Sequence, residues 1–202
     1  MMGKNKNKNK NIILIGGGGH SLNCAQIFLE NNCKIYGYID LCHKSKLNEL
    51  YGFKYLGNDE KIEKYISEKN YLFFISIGGL KNNSLRSKLF EYIKNIGGEF
   101  CNCLSKDAYI AKNSKIGENV TIFPKAVVNS YTEINNNVII NSGAIVEHEV
   151  ILEDNVHIAP NATILGNVRV GKNSFVGSGS VVKQGTIIEE NKFINANVFY
   201  DQ

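Results

Sequence analysis

Stepping along this chain by six from Ile110 gives Ile116, Ile122, Val128, Ile134, Ile140, Val146, Leu152, Ile158, Ile164, Val170, Val176, Val182, Ile188 and Ile194. All fifteen positions are Ile, Leu or Val, which together make up roughly a quarter of the residues. An uninterrupted run of that length arises by chance with a probability on the order of 10⁻⁹, so the segment is an internal repeat. Four residues after each aliphatic stands a small or β-branched residue: Ser114, Val120, Ala126, Thr132, Val138, Ala144, Val150, Val156, Ala162 and Val168. Turn formers such as "GENV", "NNNV" and "GKNS" lie between. A helix cannot keep one face on this period, because 3.6 does not divide six. A coil of short strands and turns can.

The preceding part obeys different rules. "NIILIG", "KIYGYID" and "YLFFISIG" read as short buried strands, with "EFCNCL" as a last one. Between them "SLNCAQIFLEN" places Leu22, Ala25, Gln26 and Leu29 at helical spacing. "DEKIEKYISEK" reads as an amphipathic helix capped by Asn58 or Asp59, and "NSLRSKLFEYIKNIGG" as a helix ending at Gly97 and Gly98. Strands alternating with helices imply a small parallel, Rossmann-like sheet. The expected organisation is a disordered tail over 1–10, an α/β Rossmann-like domain over 11–104 and an all-β coil over 105–202.

The opening "MMGKNKNKNKN" alternates Lys and Asn without an apolar run. It is neither a signal peptide nor a membrane anchor, and it lacks the aromatic and arginine partners of a nucleic-acid arm. No apolar run is long enough to span a bilayer, so neither membrane insertion nor nucleic-acid binding is expected. The five cysteines (Cys24, Cys33, Cys42, Cys101 and Cys103) read as free thiols in a reducing cytoplasm. The lone C-x-C is read as packing, and no metal is expected.

Two features carry chemistry. "IILIGGGGHS" is a strand running through glycines into a helix, where backbone N–H groups can receive phosphates. Gly16 and Gly18 fit the first two glycines of G-x-G-x-x-G, but Ser21 takes the third place. Asp40 ends the second strand, where an acid can bind ribose hydroxyls. So small a domain fits a mononucleotide better than a dinucleotide; the bland alternative is a tight turn without a ligand. The second feature is "AIVEHEVILEDNVHIAP", which sets His148 between Glu147 and Glu149 and adds His157 nine residues on. Taken alone, both histidines and both glutamates could be ordinary surface residues.

The repeat resembles the hexapeptide-repeat, left-handed parallel β-helix of bacterial acyltransferases, in which three hexapeptides make one triangular coil and the prisms trimerise side by side. The stretch 139–182 resembles the nucleotide-sugar N-acetyltransferases of bacillosamine biosynthesis and the related sialic acid O-acetyltransferases. Their N-T/S-x-x-x-[IV]-E-H segment matches here from Asn141 to His148. The resemblance implies that His148 is the general base, with Glu149 orienting it and Glu147 as local rival. Gly166, eighteen residues on, would lie over the imidazole with a carbonyl between them. Asn141, His157, Gly166 and Ser178 would contact acetyl-CoA. In the first domain the family's G-x-x-G-H loop matches Gly16, Gly19 and His20, with Asp40, Gly78 and Arg86 in corresponding places, all expected to hold the nucleotide sugar. Many relatives finish with a G-x-P-A-K type segment, whereas this chain stops at "FINANVFYDQ", which leaves the outer coenzyme contacts open.

The expected activity is acetyl-CoA-dependent N-acetylation of a nucleotide-linked amino sugar by a cytoplasmic homotrimer. O-acetylation of a sialic-acid-like sugar, a zinc carbonic anhydrase on the same type of coil, and a non-catalytic binding module are the rivals.

Overall fold

The computed structural model describes residues 10–41, 45–79 and 83–202. The expected tail (save Lys10) and Cys42 lie outside them. Contacts divide the chain into two compact units between Cys103 and Leu104.

In the first unit, β1 (Asn11–Ile15), β2 (Ile35–Ile39) and β3 (Tyr71–Ile75) form a parallel sheet in the order β2-β1-β3. The central strand is apolar without alternation because both of its faces are covered. One face packs Ile13, Ile15, Phe73 and Ile75 against Ile62, Tyr65, Leu89 and Ile93. Four helices connect and cover the strands: α1 (Gly19–Glu30), α2 (Lys46–Tyr51), α3 (Ile62–Ser67, entered through a 3₁₀ turn at Asp59–Lys61) and α4 (Asn83–Asn95).

Three expectations change here. The buried residues of α1 are Ser21, Cys24, Ala25, Ile27 and Phe28, while Leu29 is exposed. The helix is thus rolled away from the Leu22–Leu29 stripe, and Phe28 meets Phe74 edge-on at 5.1 Å. The segment "EFCNCL" is not a strand of this sheet. Phe100 makes one isolated bridge to Phe73, and Cys103–Leu104 is the first rung of the coil. Helix α2 was not anticipated, although its signals are plain: Ser45 accepts from the Leu47 N–H at 3.1 Å, and Gly52 closes the helix at φ 67°.

The second unit is a β-helix of two-residue strands running from β4 (Cys103–Leu104) to β20 (Phe199–Tyr200), with parallel pairing between its rungs. Each strand pairs with the one eighteen residues away, for example Ile140 with Ile158 and Val146 with Ile164. Three sheets result, and they form three walls. The repeated aliphatics point inward and are almost fully buried from Ile122 to Ile194. Burying each contributes roughly 1.5–3 kcal/mol. The coil takes in one rung more at each end than the aliphatic series shows, at Leu104 and at Tyr200.

Turn chemistry repeats on the same period. Every sixth residue from 119 to 197 has a left-handed backbone. Asn or Gly fills these positions except at Lys125, Tyr131 and Glu149, as expected for the residues that adopt positive φ most readily. Along one edge the asparagines form a ladder: Asn119 donates to Asn137 at 2.7 Å, Asn137 to Asn155 at 2.7 Å, Asn155 to Asn173 at 3.0 Å, and Asn173 to Asn191 at 3.0 Å.

Candidate active site

The coil register sets residue 148 directly beneath 166. Val146 pairs with Ile164, and the Asn167 N–H donates to the His148 carbonyl at 3.0 Å. His148 stands two residues beyond an inward aliphatic, at a corner, so its ring is exposed. Its Nδ1 lies 2.9 Å from Glu149 Oε2. Glu147 is occupied elsewhere, its Oε2 accepting from Asn129 Nδ2 at 2.9 Å. Of the two flanking glutamates, Glu149 is the one that contacts the imidazole, with a backbone φ of 60°. A carboxylate on Nδ1 selects the tautomer that carries its proton there and leaves Nε2 as an acceptor.

Gly166 lies closer to the imidazole than expected. A β-carbon placed on it would lie 2.7 Å from both Cε1 and Nε2 of His148. The imidazole therefore fills the space over the glycine, and no carbonyl fits between them. Glycine is needed for the ring to sit where it does. The Gly166 N–H has no hydrogen-bond partner among the described residues. At equivalent corners, side chains take this N–H: Asn136 that of Glu118, Asp154 that of Asn136, and Glu153 that of Lys172. A carbonyl approaching from the side can use the Gly166 donor.

Asn141 and His157 meet on another wall, with Asn141 Nδ2 3.4 Å from His157 Nε2. His157 is 5% exposed, and its ring stands edge-on to Phe175 at 5.0 Å. Phe175 in turn stacks on Phe193 at 4.8 Å. Ser178 is exposed at the corner that follows this wall. Within one chain, then, His148, Glu149 and Gly166 come together, whereas Asn141, His157 and Ser178 belong to a different part of the prism.

The glycine loop of the first unit is held by side chains from three segments. Gly16 has φ 105°, and a β-carbon there would lie 2.7 Å from Ile77 Cγ1. The Gly17 N–H donates to Asp40 Oδ2 at 2.5 Å, while Ser45 Oγ donates to the Gly17 carbonyl at 2.7 Å. One oxygen of Asp40 thus fixes the loop. Ser21, in the third glycine's place, is buried and donates to the Gly16 and Ser76 carbonyls, both at 2.9 Å. Gly18 and Gly19 have open space where a side chain would go, so among the described residues nothing covers the start of α1 there. Next to it, Gly78 borders His20: its β-carbon position is 3.4 Å from His20 Cβ.

Arg86 is 1% exposed, too deep to serve as an open surface contact. Burial lowers its basicity. Burial, then the charge of Arg86, pushes His20 down from 6.5 to about 4, so the imidazole is neutral at physiological pH. Ser45 and Ser76 were missed in the sequence, where a serine inside a polar loop carries no distinguishing spacing. Among the described residues, no group of three or more His, Cys, Asp or Glu is placed to hold a metal ion.

Comparison with known proteins bears on both units. Residues 11–93 match the PglD N-terminal domain, and residues 131–166 and 149–184 match the bacterial transferase hexapeptide (six repeats). The acetyltransferase domain of PglB from Neisseria gonorrhoeae is 26% identical, with 95% of this chain and 91% of that one covered at a TM-score of 0.85. PerB from Caulobacter crescentus is likewise 26% identical, with 94% and 88% covered at a TM-score of 0.85. WeeI from Acinetobacter baumannii, 19% identical with 95% and 97% covered at a TM-score of 0.72, shares the fold. An uncharacterized protein of Acanthamoeba polyphaga mimivirus is 35% identical over 108 residues, which is 53% of this chain but only 20% of that protein. A PglD-type N-terminal domain followed by hexapeptide repeats gives the chain the build of the hexapeptide-repeat, β-helix sugar acetyltransferases.

Proposed function

We propose that this chain transfers the acetyl group of acetyl-CoA to the amine of a nucleotide-linked amino sugar, as a homotrimer in the cytoplasm. The observation that carries the reading is the contact of 2.9 Å between His148 Nδ1 and Glu149 Oε2, with the imidazole packed against Gly166. The PglB domain has been solved in complex with acetyl coenzyme A, and PerB in complex with CoA and GDP-perosamine.

In the mechanism, His148 Nε2 takes the proton from the sugar amine as its nitrogen attacks the thioester carbonyl. Glu149 holds the imidazole in the required tautomer and steadies the imidazolium that forms. The Gly166 N–H donates to the oxygen as it gains charge. When the C–S bond breaks, the departing thiolate recovers the proton from His148, and the products are the amide and the free thiol of coenzyme A. In the first unit, the uncovered start of α1 with Gly18 and Gly19 receives the diphosphate. Neutral His20 offers a hydrogen bond beside it, and buried Arg86 supplies positive potential from behind.

The outer row of one wall, Tyr109, Val127, Ile145, Thr163, Val181 and Phe199, is apolar apart from one threonine and half-exposed or exposed throughout. This supports side-by-side trimerisation, in which Asn141 and His157 of a neighbouring copy approach His148. The test is to incubate the protein with acetyl-CoA and a panel of UDP-, GDP- and dTDP-linked amino sugars, following thiol release and product mass. An acetylated amine on one of them is expected. Acetylation confined to a hydroxyl of a free nonulosonic acid would replace this reading by its nearest rival. Sedimentation equilibrium tests the trimer.

A further inference from the structure

The geometry points to Tyr131 as an acceptor-side positioning residue: an exposed aromatic floor for the pyranose ring of the amino sugar. This deepens the proposed function and rests on His148 being the base.

Positive φ recurs every six residues in the coil, and Asn or Gly fills the position except at Lys125, Tyr131 and Glu149. Glu149 departs from the rule and contacts His148. Tyr131 departs from it one coil below, on the same edge. Val127–Val128 pairs with Ile145–Val146, and the Glu149 N–H donates to the Ser130 carbonyl at 3.0 Å. The next two coils of that edge return to Asn167 and Gly185. The two departures are therefore one coil apart on the same edge, the upper one in contact with the imidazole.

A bulky aromatic at φ 60° is an unfavourable choice of residue. Packing does not account for it, because Tyr131 is 69% exposed and has no ring partner among the described residues. Strain retained without local compensation marks functional positions. Lys125, the other departure, lies on a different edge, in register with Gly143 and Asn161.

Direction decides what the ring would meet. Gly166, with its unpartnered N–H, closes the upper side of His148 and takes the thioester carbonyl. The acceptor amine then reaches the imidazole from the side of Ser130 and Tyr131. A phenol there presents an apolar π-face to the C–H face of a sugar and a hydroxyl to its rim.

The experiment is steady-state kinetics of Tyr131→Asn and Tyr131→Phe, with thermal melting of both. Asparagine suits the backbone, so Tyr131→Asn should melt at or above the wild-type temperature. Its KM for the nucleotide amino sugar should rise about 10-fold, as for the loss of one stacking contact, while its KM for acetyl-CoA stays unchanged. Tyr131→Phe should keep the acceptor KM within about 2-fold. An unchanged acceptor KM in Tyr131→Asn, or an equal rise for acetyl-CoA, overturns the assignment. His148→Ala separates the two readings. Wild-type turnover in that variant removes the base and this inference together, whereas lost turnover with a silent Tyr131→Asn removes only the floor.

Discussion

Glu149 reaches His148 Nδ1 at 2.9 Å from a left-handed backbone, at a position where most coils carry Asn or Gly. The residue that best serves the imidazole is thus a poor one for the turn. Glu149→Asn should raise the melting temperature slightly while kcat falls about 10- to 100-fold, because the tautomer is no longer held. Glu147→Gln should leave kcat nearly unchanged, since that carboxylate serves Asn129. Kinetics of the two variants side by side decide between the two glutamates.

Replacing the base is the sharper perturbation. His148→Ala should lower kcat by ~10²–10⁴-fold, with the far-ultraviolet circular dichroism and melting temperature of the wild type, because the exposed ring supports no part of the core. Near-normal kcat in this variant would refute the mechanism.

Gly166→Ala introduces a β-carbon 2.7 Å from two atoms of the His148 ring. The imidazole must rotate away, and kcat should drop by about 10-fold or more. In the His148→Ala background the same methyl meets no ring, so the double variant should be no slower than His148→Ala alone. Additive losses in that cycle would mean that the two residues do not share a site.

Asn137 is fully buried and joins two rungs of the asparagine ladder. Asn137→Ala removes the ladder bonds to Asn119 Nδ2 and Asn155 Oδ1 and puts alanine at φ 57°. Unfolding in urea should show a loss of about 2–4 kcal/mol. A loss below half a kilocalorie would assign the ladder no part in stability.

His20 titrates near 4 in the folded chain, against 6.5 for a free imidazole. The unfolded chain takes up that proton first, so the contribution to stability is complete above pH 6.5 and is lost as the pH falls toward 4. Melting temperatures of His20→Asn should therefore decline less steeply than those of the wild type across that window. Parallel declines would assign the acid sensitivity to other groups.

The coil was legible because its period is unforgiving. One aliphatic every six residues for fifteen repeats admits few structures, and the pairing of 148 with 166 follows once a coil is known to hold eighteen residues. The handedness came from resemblance, since the spacing of buried residues is the same for either hand. The turn grammar was equally open to reading: Asn119, Asn137, Asn155 and Asn173 sit on the same six-residue step, and that pattern would have flagged Tyr131 and Glu149 as exceptions. What periodicity could not give is side-chain direction. Two glutamates flank His148 symmetrically in the sequence, and only the left-handed turn brings one of them to Nδ1. For the same reason the contact of Asp40 with the Gly17 N–H is invisible in the sequence. The roll of α1 was misjudged because Leu22 and Leu29 outweigh Ser21 and Cys24 in apparent hydrophobicity, while the close approach of Phe28 to Phe74 sets the actual face.

Because successive rungs of the coil repeat with a fixed pitch, its length is quantised. Copying the eighteen residues 168–185 in tandem restores every wall, corner and inward aliphatic above Gly166 and leaves the chemistry below untouched. A duplication of seventeen or nineteen residues would instead turn each inward aliphatic above the joint toward solvent.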